Sequence, residues 1–225
     1  MVSDDLSKAE GSMTLAEQLY GRLRRDVIMG SLEPGTRLKL EKLSKSYEVS
    51  INTMRETLSR LASDGLVMAE GQRGFTVPDV SLEDLRDITE MRQLLECHAL
   101  RQSIRHADLE WEAQIVGCYH KLSRVEAVVE DDPDRYGEDW ERYNNEFHNA
   151  LIANCGSRWL LLFRQTMYEQ SQRYRMLSLK TRPFPRSQSA REHKEILEAA
   201  LARDETRAAD LLQAHILKGA QTVAL

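Results

Sequence analysis

The chain has 225 residues, 41% of them hydrophobic and 30% charged, enough for two small domains or one large one with real cores. No apolar run approaches the roughly 20 residues of a membrane span. Three widely spaced cysteines, Cys97, Cys118 and Cys155, exclude a disulfide framework or a zinc knot and read as reduced, partly buried side chains. The net charge of −5 does not mark a nucleic-acid binder, and residues 12–78 hold only ten basic against eight acidic side chains, a balance that permits DNA binding without arguing for it.

Residues 1–13 are polar and acidic and read as a disordered leader, neither a secretory signal nor an Arg-rich transit peptide, so the expected location is the cytoplasm. Thr14-x-x-Glu17 is a capping box that opens an amphipathic helix with Leu15, Leu19, Leu23, Val27 and Ile28 on its core side and Gly30 at its end. After the turn at Glu33-Pro34-Gly35, Leu40, Leu43 and Tyr47 recur at helical spacing, with Lys39, Lys42 and Lys45 among the polar positions. Glu48-Val49 leaves room only for a turn. Ser50 then offers an N-cap oxygen to a second helix with Met54, Leu58 and Leu61 inward, stopped at Asp64-Gly65. Two β-type runs follow, Leu66–Met68 and Phe75–Val77, across Gly71-Gln72-Arg73-Gly74.

That order of parts over residues 36–77 predicts a winged helix-turn-helix, which places one helix in a groove of double-stranded DNA; the plain alternative is a helical hairpin beside a β-ribbon. On the winged-helix reading, Asn52, Thr53 and Arg55 lie near the exposed start of the recognition helix, where Asn suits adenine and Arg suits guanine or phosphate. Lys39, Lys42 and Arg73 hold register through phosphates, and Ser50 and Gly74 complete the expected DNA-facing set.

Pro78-Asp79-Val80 ends the wing and Ser81-x-x-Asp84 starts another helix directly, so the link is short. Helical periodicity recurs over 82–105, 107–130, 135–154, 157–179, 187–202 and 205–220, with no convincing strand among them. The expected fold is mainly α: a leader (1–13), a winged helix-turn-helix domain (14–78) and an all-helical bundle of six to seven helices (79–225).

In the bundle, the informative residues are polar groups where periodicity asks for a hydrophobe. Arg92 lies in the stripe Leu85, Ile88, Leu95, Ala99, and pairs either with Glu96 one turn on or with a ligand carboxylate. Asn144 and His148 share a face with Phe147, Leu151 and Cys155; His193 lies beside Ile196 and Leu197, and His215 beside Leu211, Leu212 and Ile216. Any one of these is a satisfied core histidine more often than a ligand. Together they are able to close three sides of an imidazole site, with Asn144 as an oxygen donor, for a divalent ion such as zinc or nickel. Tyr168, Arg173, Tyr174 and Arg175 form a basic-aromatic cluster that reads either as a solvated face or as the closure of an anionic pocket, since alternate arginines are not expected to face inward together.

These residues carry a pattern that resembles the GntR family of bacterial transcription regulators, in the FadR-like branch with the helical FCD domain. It is seen in Arg25–Gly35, in Val49-Ser50 through Arg55–Leu58, in Asp64–Val67 and Arg73–Phe75, then in Val80–Leu85, Arg92, Glu146–His148, Glu192-His193 and His215. The resemblance implies that Arg92 faces a ligand cavity and that His148, His193 and His215 are metal imidazoles. The fourth family ligand is usually an Asp where this chain has Asn144, which lowers the expected metal affinity, and the usual Arg-Thr-Pro after Ser50 is here Ile51-Asn52-Thr53. The segment 140–175 looks most like regulators of dicarboxylate catabolism.

The leading expectation is a homodimeric regulator, a repressor of a catabolic operon relieved by a small (di)carboxylate bound with a metal ion near Arg92 and Tyr174. A regulator for which the metal itself is the signal is the alternative. An enzyme with a His-lined metal site is the rival from another class, but no motif places a Glu as general base.

Overall fold

Helix α1 (Leu15–Ile28) starts at the capping box: the Glu17 amide donates to Thr14 Oγ1 at 3.2 Å, and the Thr14 amide donates to Glu17 Oε2 at 2.8 Å. The computed structural model describes residues 14–71, 74–129, 131–181 and 186–223, in two units, one up to Asp79 and one from Val80. In the first unit, Leu19, Leu23, Val27 and Ile28 meet Met54, Leu58 and Leu61 of α3 (Ile51–Ser63), all buried. Burial of this many aliphatic side chains, each contributing about 1.5–3 kcal/mol, holds the module together.

Helices α2 (Leu40–Ser46) and α3 are joined over Tyr47–Ser50. The turn is tight enough to force Glu48 to φ 56, in the left-handed region. Ser50 Oγ accepts from the Thr53 amide at 3.1 Å and starts α3. At the other end the Leu66 amide reaches the Leu61 carbonyl and the Gly65 amide that of Ala62, a Schellman closure with Gly65 at φ 73. Tyr47, expected on the apolar face of α2, instead ends that helix half-buried, because its hydroxyl donates to Asp26 on α1.

The wing contains three strands rather than two. Strands β2 (Met68–Ala69) and β3 (Phe75–Thr76) pair antiparallel, and β1 (Arg37–Leu38) pairs with the other edge of β3, matching Arg37 to Thr76 and Leu38 to Phe75. The expected run Leu66–Met68 slips to Met68–Ala69 because Leu66 and Val67 are wholly inside the core. Two-residue β1 has no periodicity to read; only its partner strand defines it.

The second unit is all helix among the described residues: α4 (Leu82–Arg105), α5 (Leu109–Glu126), α6 (Pro133–Ile152), α7 (Arg158–Thr181), α8 (Arg186–Leu201) and α9 (Glu205–Gln221). Ser81, Asp108, Asp132 and Asp204 cap four of them by accepting from the amide three residues on. Helix α4 packs against α6, α7 and α9. The core gathers Leu100, Trp111, Ile115, Phe147, Leu151, Ile196 and Leu212, and the Trp111 indole donates to the Ala150 carbonyl at 2.9 Å. The three cysteines are free thiols, and no helix among the described residues is long and apolar enough to cross a membrane.

Candidate functional site

Three helices of the bundle each deliver one histidine to a single point. His148 on α6, His193 on α8 and His215 on α9 bring one ring nitrogen apiece within 4.8 Å of one another, and the Nε2 atoms of His193 and His215 are 3.1 Å apart. Each opposite nitrogen faces a carboxylate. His193 Nδ1 lies 2.7 Å from Glu126, His215 Nδ1 2.9 Å from Glu192, and His148 Nδ1 3.4 Å from Glu96. A carboxylate behind Nδ1 fixes the tautomer and turns the Nε2 lone pair toward the centre, as metal-binding imidazoles require. Burial holds His148 well below its ordinary pKa and His215 at about 4, so both are neutral ligands near pH 7. Burial alone would raise Glu192, but hydrogen bonds from His215, Lys218 and Gln188 pull it down to about 2.

Asn144 lies one turn before His148 and lines the same cleft. Tyr168 donates its hydroxyl to Glu141 at 3.0 Å, so it accepts from Asn144 Nδ2 at 2.9 Å, and this chain of bonds fixes the amide orientation. Asn144 Oδ1 is left buried with no hydrogen-bond partner. An orphaned amide oxygen beside three convergent imidazoles fits a divalent ion, and the nitrogen-rich donor set suits zinc or nickel.

A cleft of about 660 Å³, its mouth included, runs past these residues and is lined by Arg92, Asn144, His148, Tyr174, His215 and Gly219, among others. Arg92 pairs with Glu96, its Nε donating at 2.7 Å, and also lines the cleft. Glu96, wholly buried, also lies 3.5 Å from Arg164 Nη2, and the two arginines hold its carboxyl well below the usual range against the upward push of burial. The Tyr168 ring has three guanidinium carbons around it, Arg164 at 4.2 Å, Arg175 at 4.4 Å and Arg92 at 5.0 Å.

The reading of Tyr168, Arg173, Tyr174 and Arg175 as a solvated face is overturned. Tyr168, Arg173 and Tyr174 are buried, and the Arg175 side chain is only 13% exposed. Alternate arginines both turn inward because α7 is covered on more than one side: Arg175 meets Glu141 of α6, while Arg173 lies 4.0 Å from Asp84 of α4. The Tyr174 ring lines the cleft, and its hydroxyl donates to Asp84 at 2.5 Å and accepts from the Ser81 amide at 3.4 Å.

Two family models account for nearly all of this. That for bacterial regulatory proteins of the gntR family matches residues 15–77, and that for the FCD domain matches residues 87–218. The chain belongs to the GntR family. This GntR-family protein is 43% identical over 204 residues to the HTH-type transcriptional regulator BphR of Paraburkholderia xenovorans, a match covering 90% of this chain and 82% of BphR. It is 31% identical over 201 residues to the HTH-type transcriptional repressor GlaR of Escherichia coli, covering 88% and 90%. Its fold matches that of E. coli McbR/YncC with a TM-score of 0.73 at 21% identity, over 92% of this chain and 95% of that one. It is a DNA-binding transcriptional regulator with an FCD domain, and the regulator family, rather than any enzyme, frames its histidine site.

In the winged-helix module of this regulator, Lys39, Lys42, Asn52 and Arg55 are exposed, and Thr53 is half-exposed at the start of α3. Lys39 is also the residue before α2, and the Ser50 hydroxyl is engaged as the cap of α3. Gly74 sits in the wing turn at φ 97; Arg73 lies outside the described residues. Sequence reasoning missed Arg164, Glu141 and Glu126, and gave Glu192 no role behind His215. Arg164 interrupts the run Leu160, Leu161, Tyr168 as Arg92 interrupts its own stripe, so the same test would have found it. Glu126 carries no such signal, since only the fold brings it to His193.

Proposed function

We propose that this regulator is a homodimeric repressor whose hold on its operator is released by a small carboxylate, preferably a dicarboxylate, entering the FCD cleft beside a divalent ion held by His148, His193, His215 and Asn144. The observation that carries this is the convergence of three carboxylate-backed imidazoles and an unsatisfied amide oxygen next to a cleft that also presents Arg92. The description of GlaR as a repressor supports the sign of the response. An ion so held would offer a Lewis-acidic contact to one carboxylate oxygen of the ligand.

The chain's own groups supply the rest. Arg92 offers a charge-assisted contact to a second anionic group. Tyr174 closes the cleft wall and holds the first turn of α4, where the chain leaves the link after Pro78. In the DNA module, α3 enters the major groove with Asn52, Thr53 and Arg55 toward bases, while Lys39, Lys42, Arg73 and the wing at Gly74 meet the backbone; Ser50 orients the helix. Two copies are needed to engage two half-sites about one helical turn apart.

Elemental analysis of purified protein, with operator binding by fluorescence anisotropy across a panel of mono- and dicarboxylates, tests this. His193→Ala should lose both metal and response while keeping DNA affinity. Metal-free protein that still releases DNA with acid would make the histidines a mere polar lining; metal alone that releases DNA would favour a metal sensor.

A further inference from the structure

Helix α7 has a second apolar side that is left exposed among the described residues. Trp159, Leu162 and Phe163 are 59%, 48% and 57% exposed, and the rings of Trp159 and Phe163 stack at 6.1 Å. With Thr166 they fall within about 100° of arc, opposite Arg164, Tyr168 and Arg175. Helix α4 runs antiparallel beside α7, bringing Glu96 to Arg164 and Asp84 to Tyr174, and it exposes Met91 and Leu94 as well. Large apolar side chains grouped on two neighbouring helices mark an interaction surface, whereas single ones need no explanation.

The charges beside the stripe say what covers it. Arg158 and Glu169 lie about three turns apart on the same edge of α7, Arg158 exposed over the Trp159 ring and Glu169 accepting from Gln165 at 2.7 Å. Two α7 helices packed antiparallel about a two-fold axis near Phe163 bring like edges together and reverse the chain direction. Arg158 of each copy then meets Glu169 of the other, twice per dimer. A parallel pairing would bring opposite edges together and leave Arg158 without Glu169 across from it, and a lipid surface would favour a basic rim without the acid.

We propose that the α7 face around Trp159, Leu162 and Phe163 is the docking surface for a second copy of this chain, antiparallel and two-fold, with Arg158 and Glu169 setting the register. This rests on the homodimer proposed above.

Sedimentation velocity on the full-length chain at micromolar concentration tests it. Phe163→Glu, an exposed change, should raise the dimer dissociation constant at least a hundredfold while circular dichroism and the thermal midpoint stay as in wild type. Arg158→Glu and Glu169→Arg should each weaken the dimer about tenfold, since two symmetric attractions become repulsions. The double variant Arg158→Glu/Glu169→Arg should return to wild-type strength. A Phe163→Glu protein that dimerises like wild type would place the interface elsewhere and overturn this proposal while leaving the homodimer standing. A wild-type chain that is monomeric throughout would overturn the homodimer itself. Failure of the double variant to recover would overturn the antiparallel register.

Discussion

Tyr174 lines the cleft and its hydroxyl bonds to the start of α4, so Tyr174→Phe should separate ligand binding from response. The ring remains, and only the hydroxyl bonds to Asp84 and the Ser81 amide are lost. Burial, and then the hydrogen bond to Asp84, raise the Tyr174 pKa to about 12, so the hydroxyl is protonated and donating at any working pH. A hydrogen bond to a charged acceptor contributes about 1.5–3 kcal/mol. The Asp84 side chain is 47% exposed and regains water when the bond goes, which brings the expected net loss to about 1 kcal/mol. In a chain of this size that lowers the thermal midpoint by about 2–4 °C. If the bond passes cleft occupancy to the link, its loss weakens the coupling between acid and DNA by about fivefold. Operator fragments selected from random DNA by the wild-type protein, titrated by anisotropy with and without acid, give the coupling, and calorimetry gives acid affinity alone. A Tyr174→Phe protein with wild-type coupling would refute the reasoning, and one that fails to bind acid would make Tyr174 a ligand contact instead.

Arg55→Ala should lower operator affinity by about 1–3 kcal/mol and relax sequence preference at one position if Arg55 reads a base; unchanged anisotropy at physiological salt would remove it from the interface. Asn144→Asp adds the charge that the amide lacks and should slow metal loss to a chelator, measured by the rate of zinc release; a faster release would mean Asn144 Oδ1 does not face the ion. In metal-free protein His215 titrates at about 4 and His148 well below its usual value, against about 6.5 when unfolded. The unfolded chain therefore takes up protons first, so stability is full above about pH 6.5 and falls as pH drops toward 4. Denaturation midpoints at pH 7.5 and 5 check this, and equal midpoints would mean that these imidazoles are not buried neutral in solution.

The fold was legible wherever one element states its own period and ends. Thr14, Ser50 and Ser81 announce helix starts by local bonds, and all six bundle helices follow from apolar spacing, although the cap at Asp108 falls inside the segment expected from 107. Strand β1 was not, because Arg37 and Leu38 become a strand only against β3. The site divides in the same way. His148, His193, His215 and Arg92 stood out as polar groups on apolar faces, but the inward turn of both Arg173 and Arg175 depends on neighbours on different sides of α7, which no single-helix pattern encodes. The carboxylates behind the imidazoles are a tertiary fact for the same reason.

The charged groups of the cleft leave it little freedom to change, since Glu96 serves Arg92, Arg164 and His148 at once and removing Glu96 strands two buried guanidinium groups. Divergence toward a new signal molecule would therefore begin at neutral positions of the wall. Gly219 is such a place: it lies on α9, lines the cleft, and a Cβ added there meets no atom within 4 Å. An alanine at that position would favour the helix by about 1 kcal/mol and narrow the cavity by a methyl group. A descendant could thus shed its bulkier ligands through one base change without loss of stability.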